Sequence, residues 1–296
     1  MRLAHTPRTL VIGPYEVQAP IGAGSSGQVY RATDSRTGQQ VAIKLLRTER
    51  AEDPTQRARF RREVAFLGTH RDHPNILHFV GSGEHDGQPY FVTEFIPGGS
   101  LHQRMRAGFR PTRVQSIDIC VQVLSGLAEL HRHRVVHRDV KPSNMLLRAD
   151  GYVVLGDFGV ALHERLASIT LHDCPLGTLG YCAPEQRESP HGVGPAADLF
   201  SVGAVLYRLI TRQPPPDLSL SQFSPVMLEV LPEPFRPIVA RATRYAVDER
   251  YADAREMVDD LCSVRAALEQ AADPAGEDVG PHEPVVLHSF LPELSF

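Results

Sequence analysis

The two lysines of this chain are the first candidates for chemistry. Of its 31 basic residues, lysine occupies only position 44, in the stretch VAIK, and position 141, in the stretch VVHRDVKPSNML. A lysine ammonium is a compact point charge, whereas the arginine guanidinium is a broad planar fork. Because the chain uses arginine at every other basic position, Lys44 and Lys141 mark places where the two cations are not interchangeable.

A glycine-rich stretch, IGAGSSGQV, fits the pattern G-x-G-x-x-G with Gly22, Gly24 and Gly27. A dinucleotide-binding fold needs a helix after this pattern, but the next residues, QVYRAT, alternate like a strand and a second strand, VAIK, follows. The nucleotide P-loop pattern fails because Gln28 stands where a lysine is required. Two interpretations remain: a glycine-rich hairpin over ATP phosphates, with the lysine on a neighbouring strand, or a flexible hairpin that needs glycine only to turn.

Composition excludes several classes of function. The chain has 296 residues, 42% of them hydrophobic and 22% charged, enough for one large domain or two lobes with their own cores. Its net charge of −4 gives no electrostatic reason to expect nucleic acid or an anionic membrane as a partner. No apolar run approaches the ~20 residues of a membrane span, and the first residues lack the apolar core of a secretion signal.

The cysteines favour a reducing compartment. None of the four cysteines lies in a C-x-x-C pair, so neither a metal site nor a disulfide framework is expected. We therefore expect a cytoplasmic location.

The chain changes character near residues 94–98. Before this point, short alternating runs with turns at Thr37-Gly38 and Asp86-Gly87 predict strands and hairpins. One helix interrupts them, predicted over residues 57–68 from its apolar spacing.

The later part is mainly helical in pattern. Ser100 is typical of a helix N-cap, and a hairpin is predicted with Asp150-Gly151 at its turn. Long helices are predicted over 117–133, 196–210, 235–243 and 254–268. The predicted divisions are a lead-in over 1–14, a small β-rich lobe over 15–97, a larger α-rich lobe over 98–268 and a linker-like tail over 269–296, with an apolar end.

The chain resembles the eukaryotic-type (Hanks-type) serine/threonine protein kinases, bacterial members in particular, over roughly residues 15–268. The resemblance is carried by the motifs GAGSSGQV, VAIK, HRDVKPSN, DFG, APE and DLFSVG, which occur in the family's order and with its spacing. It implies an α+β, bilobal protein-kinase-like fold, with a small β-rich N-lobe containing one main helix and a larger α-helical C-lobe. It also implies ATP and Mg²⁺ as cofactors, with Mn²⁺ as an alternative metal.

In the HRDVKPSN motif the resemblance implies that Asp139 accepts the proton of the substrate hydroxyl. An ordinary aspartate is a weak base, so much of its role is orientation. Lys141 would reach the γ-phosphate, and Asn144 would supply an oxygen to Mg²⁺. Asp157 of DFG would be the second metal ligand, since Mg²⁺ prefers hard oxygen donors and tolerates few protein ligands.

The resemblance also assigns the nucleotide contacts. Lys44 would bind the α- and β-phosphates and be positioned by Glu63, and glycines of the loop allow close backbone approach because they lack a Cβ atom. Both lysines then meet phosphate oxygens, which accounts for their retention. The residues implied for nucleotide binding are Gly22, Gly24 and Gly27 at the phosphates, Ile21, Val29, Ala42 and Leu146 around the adenine, Thr93 behind it, and the backbone of Glu94 and Ile96 beside it.

Three further residues resemble structural ones. Asp198 of DLFSVG matches a buried aspartate that holds the backbone of the catalytic loop, and Glu185 of APE matches the partner of an arginine, here Arg250. The chain departs from the family at Phe200, where tryptophan is usual, and at Gly156 before Asp157. We do not infer inactivity from either departure.

Lys141 and Thr178 favour serine or threonine over tyrosine as the acceptor in protein substrates. Arg138 resembles an arginine that binds a phosphate in the segment between Asp157 and Glu185. Autophosphorylation at Ser168 or Thr170 would create that pair and order the segment. The alternative is a segment ordered without modification.

Two other functions compete with protein kinase activity. A pseudokinase would bind nucleotide as a signalling scaffold without transfer, and its usual mark is loss of a motif residue. Lys44, Glu63, Asp139, Asn144 and Asp157 are all present. A small-molecule kinase is disfavoured by APE and DLFSVG, which build a peptide-binding platform in protein kinases.

Overall fold

The computed structural model describes residues 10–23, 27–46, 53–54, 57–58, 61, 64, 73–157, 179–188, 193–222 and 225–271. The chain forms two compact units. The first comprises Met1–Asp72 and Leu77–Phe95, and the second comprises His73–Ile76 and Ile96–Phe296. Five candidate site residues lie outside the described residues: Gly24, Glu63, Ser168, Thr170 and Thr178.

The first unit contains a six-stranded antiparallel sheet in the order β1-β2-β3-β4-β6-β5. The strands are β1 Val11–Ile12, β2 Tyr15–Ala23, β3 Gly27–Asp34, β4 Gln40–Leu46, β5 Phe79–His85 and β6 Gln88–Glu94. Asp86 and Gly87 both have positive φ, as a two-residue hairpin turn with right-handed strand twist requires. The predicted hairpins are thus confirmed.

Residues 11–14 differ from the expected lead-in. Val11–Ile12 pairs with the start of β2, and the Ile12 side chain is fully buried. It lies in a core cluster with Tyr15, Ile43 and Val92, so burial of one isoleucine draws these residues into the sheet. Within the predicted helix over 57–68, the described residues 57, 58, 61 and 64 are helical.

The second unit is mainly helical. Its elements are α1 Leu101–Arg106, α2 Arg113–Arg132, β7 Met145–Leu147, β8 Val153–Leu155, α3 Pro184–Glu188, α4 Ala196–Thr211, α5 Val226–Glu229, α6 Arg236–Ala242 and α7 Ala254–Ala271. Helix α2 packs against α4 and α7, and α4 packs against α6. With the sheet of the first unit, this composition confirms the expected α+β fold class. No helix in the described ranges is both long and apolar enough to cross a membrane.

Helix ends follow local sequence signals. Ser100 caps α1, as predicted: its hydroxyl oxygen accepts a hydrogen bond from the Gln103 N–H, and its own N–H donates to the Gln103 side-chain oxygen Oε1. Thr112 and Gln115 form the same reciprocal box at α2. Helix α7 continues to Ala271, beyond the position 268 at which the sequence pattern ends.

A short segment, His73–Ile76, belongs to the second unit although both flanking segments belong to the first. Asn75 is fully buried, and its side-chain amide donates to Gln122 Oε1 at 3.2 Å and to the Val153 carbonyl at 2.9 Å. The Leu155 N–H donates in return to the Asn75 carbonyl at 2.9 Å. The buried amide nitrogen has both of its donors engaged in this way, which specifies one position for the segment.

The expected pair of Glu185 and Arg250 is present. The two guanidinium nitrogens of Arg250 lie 2.7 and 2.8 Å from the carboxylate oxygens of Glu185, and the Arg250 side chain is completely buried. Its guanidinium carbon lies 5.2 Å from the ring centroid of Phe200. Phe200 is 1% exposed, so phenylalanine fills this core position.

Candidate active site

The loop between α2 and β7 is held by a buried carboxylate. Asp198, in the first turn of α4, has no exposed surface and accepts the N–H of His137 at 2.8 Å and of Arg138 at 2.7 Å. Two charge-assisted bonds to successive backbone amides place the loop against a rigid helix. The structure therefore puts Asp198 where the sequence motif placed it.

Two supports of this loop were not identified from the sequence. The His131 ring nitrogen Nε2 lies 2.8 Å from Asp198 Oδ2, and the Gln186 side-chain amide donates to the Arg138 carbonyl at 2.8 Å. Gln186 follows Glu185 directly, but no local pattern links it to a loop 48 residues away. Nothing in the sequence indicated a role for His131 apart from its position near the end of a predicted helix.

Asp139, Lys141 and Asn144 form one cluster. Lys141 Nζ lies 2.7 Å from Asp139 Oδ1, and Asn144 Nδ2 donates to Asp139 Oδ2 at 2.9 Å. Asn144 Nδ2 also donates to the Asp139 backbone carbonyl at 2.8 Å. The 3₁₀ turn Pro142–Asn144 folds the chain back so that these residues, two and five positions apart, meet. Each carboxylate oxygen of Asp139 thus has a fixed donor.

The charge state of Asp139 is set by opposing effects. Burial raises the pKa of its carboxyl above the ordinary value, and the Lys141 ammonium acts in the opposite direction by Coulombic attraction and by hydrogen bonding. The nearby charge of Asp157 adds to the upward shift. A carboxylate with a raised pKa is a stronger base than an exposed aspartate, which suits a proton acceptor.

Asp157 and Asn144 are the candidate metal ligands. Asp157 is exposed, and its backbone φ of 61° lies in the left-handed region that non-glycine residues rarely adopt. Gly156 before it is fixed on both sides: its N–H donates to the Asn144 carbonyl at 2.9 Å, and its carbonyl lies 3.2 Å from His137 Nε2. The atypical glycine is therefore held firmly.

The chemistry of these two side chains fits Mg²⁺, which needs few protein ligands and prefers oxygen. Asp157 offers a carboxylate, and Asn144 offers its amide oxygen because its amide nitrogen is engaged with Asp139. Among the described residues, no group of three or more His, Cys, Asp and Glu side chains could hold a metal ion alone.

In the first unit, Lys44 lies on β4 and is 8% exposed. Its strand register pairs it with Val29 on β3 and with Phe91 on β6. Its Nζ lies 5.4 Å from the centroid of the Phe91 ring, within range of a cation–π attraction. Ala42 and Val29 are half-buried, and Ile21 is 38% exposed at the end of β2.

The glycines at the β2–β3 connection have different structural demands. A Cβ atom added to Gly27 would lie 2.3 Å from the Leu45 carbonyl oxygen, whereas one added to Gly22 would meet only Val29, at 3.9 Å. Gly27 is thus required by the close approach of β3 to β4, whatever else it contacts. Gly22 carries no such requirement.

Residues 93–96, where the chain passes from the first unit to the second, carry backbone hydrogen-bonding groups. Thr93 is 3% exposed and donates its hydroxyl to the Glu94 carbonyl at 3.2 Å, and the Glu94 N–H donates to His78 O at 3.0 Å. The Glu94 N–H is therefore already engaged. In the second unit, the Ile96 carbonyl accepts Gly99 N–H at 3.2 Å, and its N–H has no acceptor among the described residues. Leu146 lies half-buried on β7.

Arg138 is buried and has a φ of 65°. The phosphorylation candidates Ser168 and Thr170, and also Thr178, lie outside the described residues, so their relation to Arg138 stays a prediction.

Comparison with known proteins adds independent information. Residues 15–264 match the family model described as "Protein kinase domain". The chain is 33% identical over 290 residues to the serine/threonine-protein kinase PknL of Mycobacterium tuberculosis, covering 93% of this chain and 72% of that protein. It is 31% identical over 262 residues to the probable serine/threonine-protein kinase PknB of Lactococcus lactis.

That second alignment covers 84% of this chain and 42% of the relative. A further relative, a probable serine/threonine-protein kinase of Streptomyces coelicolor, is 35% identical over 209 residues that make up 31% of its length. The chain thus spans less than half of these two relatives. Among solved structures, the Mycobacterium tuberculosis PknI kinase domain matches with a TM-score of 0.66 and 26% identity, covering 86% of this chain and 98% of that one.

Proposed function

Since the chain belongs to the protein kinase domain family, we propose that it transfers the γ-phosphoryl group of ATP to serine and threonine hydroxyls of protein substrates. The observation that carries this proposal is the cluster of Asp139, Lys141 and Asn144 on a loop whose backbone is fixed by Asp198. A positioned carboxylate beside a compact ammonium is what an acceptor hydroxyl and a phosphoryl group need. The names of relatives such as PknL support serine and threonine as acceptors.

In the proposed reaction, the acceptor hydroxyl donates a hydrogen bond to the Asp139 carboxylate. As its oxygen forms a bond to the γ-phosphorus, the bond from that phosphorus to the bridging oxygen breaks and ADP leaves. The hydroxyl proton passes to Asp139. Lys141, 2.7 Å from Asp139, also places positive charge beside the transferring group.

ATP with Mg²⁺, or Mn²⁺ in its place, is the proposed cosubstrate. The metal would neutralise phosphate charge, held by Asn144 and Asp157. Lys44 would contact the α- and β-phosphates, with Glu63 as its positioning partner and the glycine stretch of Gly22, Gly24 and Gly27 supplying backbone amides. For the adenine, we propose the Glu94 carbonyl and the Ile96 N–H as hydrogen-bonding groups, with apolar contacts from Ile21, Val29, Ala42 and Leu146 and with Thr93 behind the ring.

Regulation by autophosphorylation is proposed at Thr170 or Ser168, with Arg138 as the partner of the phosphate. Thr178 is proposed to contact Asp139 and assist serine/threonine selection. Phosphopeptide mapping of the purified protein, with and without Asp139→Asn, tests the first idea. Phosphate absent from both residues in active enzyme would rule it out. A cytoplasmic location is proposed because ATP is abundant there and because Cys120, Cys182 and Cys262 are free thiols.

The decisive experiment offers labelled ATP and Mg²⁺ with casein, a basic protein and an aminoglycoside in parallel. We expect phosphoserine or phosphothreonine on protein and none on the aminoglycoside. Asp139→Asn lowers kcat by about 10³-fold, within the range for a positioned proton acceptor. Asp86→Asn, at an exposed turn, is the matched control and keeps activity. Nucleotide binding without transfer would instead indicate a pseudokinase, and transfer to the aminoglycoside a small-molecule kinase.

A further inference from the structure

Helix α4 connects the candidate active site with an arginine at its other end. Asp198 in the first turn binds the backbone of the catalytic loop, and Arg208 lies ten residues further on. At the rise of an α-helix, that separation is roughly 15 Å. An extended peptide advances about 3.3 Å per residue, so side chains four or five positions from an acceptor at Asp139 reach as far.

Hydrogen bonds connect the elements that lie between the catalytic loop and α4. Gln186 bonds to the carbonyl of Arg138, one residue before Asp139. The preceding turn, Leu179–Tyr181, is fixed to α4 because Ser201 Oγ donates to the Tyr181 carbonyl at 2.7 Å. Burial raises the pKa of Tyr181 to about 12, and the nearby Arg208 guanidinium acts against that shift. Arg208 therefore lies near Tyr181, in the turn that precedes the helix of Gln186.

Among the described residues, Arg208 differs from Arg250 and Arg187 in having no acidic partner. Arg250 pairs with Glu185, and Arg187 pairs with Asp217 at 2.6 Å, which also binds Ser219. Arg208 is half-buried, and its Nη1 donates to the Arg212 carbonyl at 2.5 Å. Neither Arg208 nor the exposed Arg212 makes an ion pair with a carboxylate in the part of the chain that the structure describes.

A half-buried guanidinium without a counter-ion retains unused N–H donors in a partly desolvated place. Arg208 is positively charged, whereas the chain as a whole has a net charge of −4. Carboxylates match the fork of an arginine with two parallel hydrogen bonds. The local surface thus favours an anionic side chain over a cationic one.

We propose that Arg208 is a specificity-determining residue that selects acceptor sequences with an Asp or Glu side chain within about five residues of the phosphorylated serine or threonine. The inference rests on the proposed protein kinase function. The selected carboxylate binds the free edge of the Arg208 guanidinium, and Arg212 adds to the positive potential. Because this contact is remote from the reacting atoms, it acts mainly through KM rather than kcat.

The test uses a set of peptides with one serine acceptor in an alanine background. Glutamate, glutamine or arginine is placed in turn at each position from five before to five after the serine. For the unaltered protein we expect at least one position where glutamate raises kcat/KM ten-fold or more over glutamine, mainly through KM. High salt reduces the difference, as expected for a partly exposed charge pair.

Arg208→Glu reverses the preference at that same position, so that the arginine peptide becomes the better substrate. Such a gain cannot come from misfolding, and Arg208→Gln, which is milder, abolishes the preference in either direction. Arg113→Glu is the matched control, since Arg113 is exposed at the far end of α2, about 27 Å along the helix from His131. It leaves the peptide preference unchanged.

Equal kcat/KM for glutamate, glutamine and arginine peptides at every position, with casein still phosphorylated, would overturn this inference and leave the proposed function intact. If no protein or peptide is phosphorylated, the proposed function fails. Binding then decides the inference separately: fluorescence anisotropy of the same peptides with alanine at the acceptor still shows tighter binding of the glutamate peptide, lost in Arg208→Glu. Equal anisotropy titrations would reject it.

Discussion

Lys44 and Lys141 belong to two regions that position their side chains by different means. Lys44 sits in the middle of a β-strand, and its place is set by sheet register and by the Phe91 ring, through residues of the same sheet. Lys141 sits in a loop that other elements hold, through Asp198 on α4 and Gln186 on α3. Strand pairing fixes the backbone of Lys44, whereas the loop of Lys141 needs buried polar anchors from distant parts of the chain.

The largest expected effect is a loss of stability when the buried anchor Asp198 is altered. Asp198→Asn leaves at least one buried backbone N–H of the loop without its acceptor, because an amide has one oxygen where the carboxylate has two. We expect a loss of about 3–5 kcal/mol in the free energy of unfolding, from the loss of charge-assisted bonds at a fully buried position. Urea unfolding measures it. Asp86→Asn, on an exposed turn of the sheet unit, changes the midpoint little. Equal midpoints for both variants would show that the loop is held otherwise.

The next effect compares the two lysines directly. Lys44→Arg and Lys141→Arg each lower kcat/KM by about 100-fold, or about 2.7 kcal/mol, because the longer planar fork does not place its charge where an ammonium does. Steady-state kinetics with a protein substrate measures the loss, and Arg113→Lys serves as the control for the same exchange at an exposed site. Full activity in Lys44→Arg would remove the sheet lysine from the proposed phosphate contacts.

A smaller effect tests how closely β3 approaches β4 at Gly27. Gly27→Ala forces a Cβ atom against the Leu45 carbonyl and lowers the free energy of unfolding by about 2 kcal/mol, while Gly22→Ala changes it by less than about 0.5 kcal/mol. Thermal unfolding of the two variants without nucleotide gives the comparison. A pair of equal melting temperatures would contradict the close approach of β3 and β4.

The smallest effect concerns the core cluster that contains Phe200. Phe200→Trp overfills the cluster of Val136, Ala183, Val193 and Ala197 and costs about 1 kcal/mol. Phe109→Trp, at a half-buried position, costs less. Chemical denaturation distinguishes them, and a more stable Phe200→Trp would mean that this core has unused space.

Local features followed from the sequence pattern, whereas long-range contacts were either implied by the motif resemblance or missed. The capping residue Ser100, the Asp86-Gly87 turn and the apolar helix spacings are local signals, and the structure bears them out. The membership of His73–Ile76 in the second unit depends on Asn75 meeting Gln122, 47 residues away, which no local pattern reveals. Motif resemblance implied the role of Asp198, but it implied no role for Gln186 or Arg208, whose significance depends on what surrounds them in space.

The central claim is that Asp139 and Lys141, whose charged atoms lie 2.7 Å apart, work as one unit on the anchored loop. A double-mutant cycle of Asp139→Asn and Lys141→Ala, read as kcat for labelled phosphoryl transfer to casein, tests it most directly. We expect the double variant to lose no more than about ten-fold beyond the more damaging single variant, because removing either partner already disables the unit. Losses that multiply independently would contradict the account.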